Sequence, residues 1–133
     1  AEQKQEREAR ALIADGANYL KEGRFEKARG QFEASLKVVP LPEAYNGIGV
    51  THYARNELAL ARDAYQQALQ LHPDFADAYY NLACSYALEG KKSLALKYLS
   101  LAVRNGYKTG AEVADDHDLD SLHDDPTFKA LLK

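Results

Sequence analysis

A frame of spaced residues occurs three times along the chain, and no other feature restricts its fold as much. In the stretch from Pro42 to Pro73 the frame is Tyr45, Gly49, His52, Ala61, Tyr65, Ala68 and Pro73. Stepping back 33 residues finds Leu12, Gly16, Tyr19, Ala28, Phe32, Ser35 and Pro40. Stepping forward 34 residues finds Tyr79, Ala83, Tyr86, Ala95, Leu99, Ala102 and, in place of the proline, Tyr107. Large, small and aromatic classes match almost throughout, which marks a chain of stacked supersecondary units. A small residue at Gly16, Gly49 and Ala83 lets a second helix approach the first closely. Ala28, Ala61 and Ala95 offer the facing gap, and Phe32, Tyr65 and Leu99 fill the space between units. Each unit is then a helix hairpin with one side still apolar, and it requires a neighbour.

The spacing resembles the tetratricopeptide repeat family, whose unit of about 34 residues reads large-x2-Leu-Gly-x2-Tyr, then Ala-x3-Phe, then Pro. The resemblance covers residues 9 to 109. It implies an all-α fold, an α-solenoid in which helix hairpins wind into a right-handed superhelix, closed by short C-terminal capping helices. The implied organisation is a polar helical extension over residues 1–8, repeats over 9–41, 42–75 and 76–109, and an acidic cap over 110–133.

Local signals place the helices. The first is expected from about Arg10 to Lys21, lengthened by the polar residues before it, with a turn at Glu22-Gly23-Arg24 and a return from Phe25 to Val38. The second hairpin starts near Pro42, breaks around Arg55-Asn56 and returns from Leu58 to Leu71. The third is expected over Phe75 to Leu88 with Asp74 as N-cap, a turn at Glu89-Gly90 and a return from Lys91 or Ser93 to Arg104. Beyond Gly110 the frame fails, and Leu119, Leu122, Phe128, Leu131 and Leu132 are available to cover the last apolar face. Asp125-Pro126 is expected to open a short helix as N-cap and first helical residue. The segment DLDSLHDDPTFKALL also resembles the tail that follows the repeats in some bacterial members of the family.

Composition narrows the function. At 46% hydrophobic residues a buried core is expected rather than disorder. No apolar run approaches the roughly 20 residues of a membrane helix, so no membrane insertion is expected. The net charge of −3 is uneven, with seven acids against two lysines in residues 111–133, and no basic nucleic-acid surface arises elsewhere. One cysteine, Cys84, gives no disulfide framework. A cytoplasmic location is the expectation, and export after removal of a leader is the alternative, since the chain begins at Ala1 and contains no methionine.

Candidate chemistry is sparse. Asp116, Asp118 and Asp120 mimic the start of a calcium loop, but Ser121 stands where the loop needs glycine and Thr127 where it needs glutamate. These acids are expected to cap short helices, and no metal site is expected. His52 and Cys84 are read as packing residues rather than base and thiolate. No phosphate loop or catalytic triad spacing is present, so neither a cofactor nor an enzymatic activity is expected.

A surface remains. The resemblance implies that the first helices of the hairpins line a concave face that holds a peptide from a partner protein. Helical spacing assigns to it Ile13, Ala17, Leu20 and Lys21 from the first unit, Asn46, Val50 and Tyr53 with Glu43 and Gly47 from the second, and Asp77, Tyr80, Asn81 and Cys84 with Leu88 from the third. Chaperone co-factors of the family clamp an acidic C-terminus with Lys, Asn, Asn, Lys and Arg; the matching positions here are Ile13, Ala17, Gly47, Asp77 and Asn81, so that clamp is absent. The expected function is a non-catalytic interaction scaffold, with self-assembly into a homo-oligomer through this face or the array ends as the alternative.

Overall fold

A computed structural model describes residues 2–133, and every regular element among them is helical. The six long helices are α1 (Glu2–Lys21), α2 (Phe25–Val38), α3 (Pro42–Ala54), α4 (Leu58–Leu71), α5 (Ala76–Leu88) and α6 (Lys92–Arg104). Short elements follow: α7 (Ala111–Ala114), a 3-10 turn (His117–Leu122) and α8 (Pro126–Leu131). They form two compact units, Ala1–Pro73 and Asp74–Lys133.

Four of these helices end in the same hydrogen-bonded cap, and that cap makes each hairpin turn so short. After α1, Gly23 N–H donates to Leu20 O and Arg24 N–H to Tyr19 O; after α5, Gly90 and Lys91 do the same to Ala87 and Tyr86. The motif needs a residue with positive φ at its centre. In the second hairpin Asn56 supplies it at 61°, and its N–H and that of Glu57 close onto Tyr53 and His52. After α6, Gly106 at 97° repeats the pattern onto Val103, Tyr107 N–H reaches Ala102 O, and Asn105 Nδ2 donates to Leu101 O at 2.8 Å. The returning helices α2 and α4 end at Val39, which is extended, and at His72, which has left the helical region, before the prolines that cannot continue them.

In the first unit three helices meet at one ring. Phe32 of α2 is 2% exposed, and its ring lies against the bare backbone of both Gly16 in α1 and Gly47 in α3. A Cβ at Gly16 would stand 2.7 Å from the ring and one at Gly47 2.4 Å, closer than any side chain tolerates. Within the second hairpin Tyr65 takes the same role against Gly49, where an added Cβ would meet the ring at 2.3 Å and Ala61 O at 3.1 Å. Ser35, buried where the frame otherwise has alanine, donates from Oγ to Ala9 O at 2.9 Å and ties α2 to α1. At the rim of α1 and α3, Arg10 bonds Glu6 at 2.9 Å and Glu43 at 3.0 Å; these exposed pairs contribute little to stability.

The second unit packs with larger side chains. Ala83 and Leu99 are buried where the first two hairpins have glycine and a ring. Tyr98 stacks between Tyr79 and Tyr86, at centroid distances of 6.3 and 5.5 Å, and Tyr107 stacks on Tyr80 at 4.3 Å with the planes 5° apart. The segment after Gly110 closes the unit, burying Val113, Leu119, Leu122 and Phe128; Leu131 and Leu132 are half-buried. Each fully buried side chain of this size stabilises by about 1.5–3 kcal/mol. Asp125 caps α8 by accepting from Thr127 N at 2.8 Å, as Asp-Pro requires. Asp74, expected as the cap of α5, stands one residue too early: Phe75 is the N-cap, with no side-chain bond. Among the described residues no helix is long and apolar enough to cross a membrane.

The glycine contacts make a paired prediction. Gly47→Ala forces the Phe32 ring or α3 to move and should cost about 1–3 kcal/mol. Gly30, in the middle of α2, has nothing within 4 Å of its added Cβ. Gly30→Ala should therefore stabilise by about 0.5–1 kcal/mol through backbone entropy and helix propensity. Urea denaturation of both variants checks this, and equal midpoints would disprove the close approach at Gly47.

Candidate partner-binding site

In the first unit α1 and α3 are neighbours joined by the Arg10–Glu43 pair. Ile13, Ala17 and Leu20 on α1 and Asn46, Val50 and Tyr53 on α3 are half-buried, while Lys21 is exposed. Gly47 departs from the expected lining: it is buried against Phe32 and offers a partner no surface. Nearby, His52 Nδ1 lies 3.1 Å from Glu57 Oε1, and this hydrogen bond holds the Glu57 carboxyl below its ordinary range. His52 is thus half-buried and engaged at the hairpin turn, in keeping with a packing role.

In the second unit the expected lining of α5 is divided. Asp77 is exposed and Asn81 half-buried, but Tyr80 and Cys84 are buried. The reason is a segment whose path helical spacing on α5 alone could not give: the 3-10 turn packs against α5. Tyr80 donates from its hydroxyl to Asp116 Oδ2 at 2.5 Å, Cys84 Sγ lies 3.9 Å from the same oxygen, and Ser121 Oγ donates to Ala87 O at 3.2 Å. Asp116 Oδ1 accepts from Asp118 N at 3.0 Å, so this acid caps the turn with one oxygen and binds α5 with the other. Asp116 and Tyr107 were not among the expected site residues. Their signal was in the sequence: Asp116, Leu119 and Leu122 recur every three residues, the period of a 3-10 helix.

Burial sets the chemistry of this cluster. It pushes the Tyr80 hydroxyl and the Cys84 thiol far above their ordinary values, with Asp116 adding to both, and it pushes Tyr107 up to about 12. A thiol held protonated in this way is a poor nucleophile. Among the described residues no group of three or more His, Cys, Asp or Glu side chains is arranged to hold a metal.

Two family models, both described as tetratricopeptide repeat, match residues 13–74 and 64–97. The chain belongs to the tetratricopeptide repeat family. A chloroplastic protein of Arabidopsis thaliana is 26% identical over 132 residues, covering 99% of this chain and 30% of that protein. The peroxisomal targeting signal receptor of Saccharomyces cerevisiae is 32% identical over 111 residues, covering 82% of this chain and 18% of the receptor. The chain therefore spans less than a third of the length of these relatives. Among solved structures, the first TPR of Spaghetti (RPAP3), bound to an HSP90 peptide SRMEEVD, superposes with a TM-score of 0.71 at 16% identity, covering 96% of this chain and 95% of that one. MamA gives 0.68 at 21% identity, covering 93% and 70%, and yeast Tom70 0.67 at 20%, covering 86% and 22%. The fold is that of the tetratricopeptide solenoids. Tetratricopeptide repeat proteins are generally non-catalytic modules for protein interaction.

The buried cluster fixes the sign of a pH effect. An acid with a raised folded-state pKa keeps its proton after the unfolded chain has lost it, so stability is intact below the unfolded values and falls as pH rises past them. Stability should decline from about pH 8.5, where free cysteine ionises, and more steeply past about pH 10, where free tyrosine does. Tyr80→Phe, less stable at neutral pH, should show a shallower alkaline decline. Chemical denaturation from pH 7 to 11 reads this, and a flat profile would contradict the burial of the cluster.

Proposed function

We propose that this tetratricopeptide chain is a scaffold that holds an extended or helical peptide segment of a partner protein against the first helices of its hairpins. The repeats are taken as residues 9–41, 42–75 and 76–109, with the cap from 110. One observation carries the reading: α1 and α3 are adjacent, and between them they offer half-buried Ile13, Ala17, Leu20, Asn46, Val50 and Tyr53, an apolar floor with one amide. A side-chain amide both donates to and accepts from a peptide backbone, so it holds a chain while the floor selects side chains. The related structure with a bound HSP90 peptide supports peptide recognition as a class of function. The acidic-terminus clamp is not part of the proposal, since Ile13, Ala17 and the buried Gly47 stand at its places. In the second unit, taken by itself, Asp77 and Asn81 on α5 are proposed as partner contacts, while Tyr80 and Cys84 are covered by the chain's own tail.

Self-association is the second reading, favoured by large apolar side chains left exposed, Leu60 and Leu71 on α4 and Leu88 and Leu94 in the second unit. Sedimentation over a range of concentrations distinguishes it, because a monomer throughout would remove it.

A peptide-display library panned on the intact chain tests the main proposal. Selected peptides should lose about tenfold or more in affinity with Asn46→Ala/Val50→Asp, and hydrogen exchange should slow in α1 and α3. Lys97→Glu, on α6, should bind as the parent does. Equal binding by the folded double variant would dismiss this face as the site.

A further inference from the structure

The whole net charge of −3 lies in the second unit: residues 74–133 hold ten acids against seven lysines and arginines, whereas residues 1–73 hold ten of each. Part of that acidity gathers at one hollow. Ala76 and Asp77 in the first turn of α5, Gly106, Tyr107 and Lys108 after α6, and Glu112 of α7 line a pocket of about 300 Å³. This is the lower end of the range for ligand pockets and suits one long side chain. A second hollow of about 410 Å³ shares Lys108 and Glu112 and is lined further by Thr109, Gly110 and Ala111. A chain that places a side chain in the first hollow therefore has room for its backbone in the second.

The walls favour a flat cation. Tyr80 covers one face of the Tyr107 ring, and the rest of that half-buried side chain lines the pocket. Burial pushes Tyr107 up to about 12, with Asp77 the next cause and Cys84, Asp116 and Glu112 after it. Three of those four are carboxylates, so negative charge surrounds the ring from α5, from α7 and from the segment after α7. Asp77 and Glu112 are exposed, and among the described residues no base forms a salt bridge with Glu112. A guanidinium stacks on an aromatic ring while its N–H groups reach carboxylates on either side, which a compact ammonium does less well.

We propose that this pocket takes the guanidinium group of an arginine in the partner segment, held against the Tyr107 ring between the carboxylates of Asp77 and Glu112. The source of the arginine rests on the scaffold reading above. The pocket itself lies wholly within the second unit and uses no residue of the α1/α3 face.

The test titrates Nα-acetyl-arginine N-methylamide into the intact, isotopically labelled chain at constant ionic strength, with the citrulline analogue as a probe of the same shape and no charge. The arginine probe should shift the amide signals of Asp77, Tyr107, Lys108 and Glu112 saturably in the nuclear magnetic resonance spectrum. The citrulline probe should bind at least about fivefold more weakly, and Glu112→Gln, a folded surface variant, should weaken the arginine probe by a similar factor. An arginine probe that does not saturate, a citrulline probe that matches it, or unchanged affinity in Glu112→Gln would each overturn the proposal. None of these results touches the α1/α3 floor, which the peptide panning judges separately; saturation by arginine in a chain that selects no peptide would place the failure in the scaffold reading instead.

Discussion

The first unit depends on one aromatic ring having no side chain on either side of it. Phe32 reaches from α2 to the backbones of α1 and α3 at once, so one ring closes its own hairpin at Gly16 and locks the next hairpin at Gly47. Neither contact survives a methyl group without movement, and a solenoid passes such movement to its neighbours. The second unit solves the same problem differently. With Ala83 and Leu99 buried where glycine and a ring would be, the helices cannot rely on ring-to-backbone contact, and stacked tyrosines supply bulk instead. Tyr107, which takes the place of the proline that ended the earlier units, joins this system by stacking on Tyr80.

Much of this was legible because the signals were local. The ends of α1, α3 and α5 follow from Gly23, Asn56 and Gly90, each of which can take positive φ, and the returning helices stop ahead of their prolines. The close helix approach at Gly49 was legible as well, being inside one hairpin, although the group that meets it is first of all the Tyr65 ring, which the frame assigned to the space between units. Gly47 was not. It stands two residues before Gly49 and falls at a spacing that suits a surface position, and only the path of α2 reveals that Phe32 occupies the space beside it. The frame placed Phe32 between units, but Gly47, the residue that receives it on the next hairpin, is not a frame position, so a periodic reading passes over it.

The α5 face shows the same limit from the other side. Helical spacing grouped Tyr80 and Cys84 with Asp77 and Asn81, but exposure depends on what covers a face as well as on where it points. The acidic tail looked like a set of caps, and Asp116 and Asp125 do cap. What the charge pattern concealed was the second oxygen of Asp116, which leaves the turn and bonds to α5. A carboxylate with two geometrically distinct acceptors can serve local structure and tertiary docking together.

The end of α6 has a bearing on how the molecule ages. Asn105-Gly106 is the dipeptide at which succinimide formation is easiest, because a glycine amide nitrogen attacks the preceding side-chain carbonyl with little steric hindrance. Here the Gly106 amide is committed to Val103 O and the Asn105 amide group to Leu101 O, so nucleophile and electrophile are both held in the helix cap. Deamidation at this step must wait for the last turn of α6 to fray. The slow chemical clock at this one site is thereby set by the local opening of a helix end, next to the linker from which the tail departs.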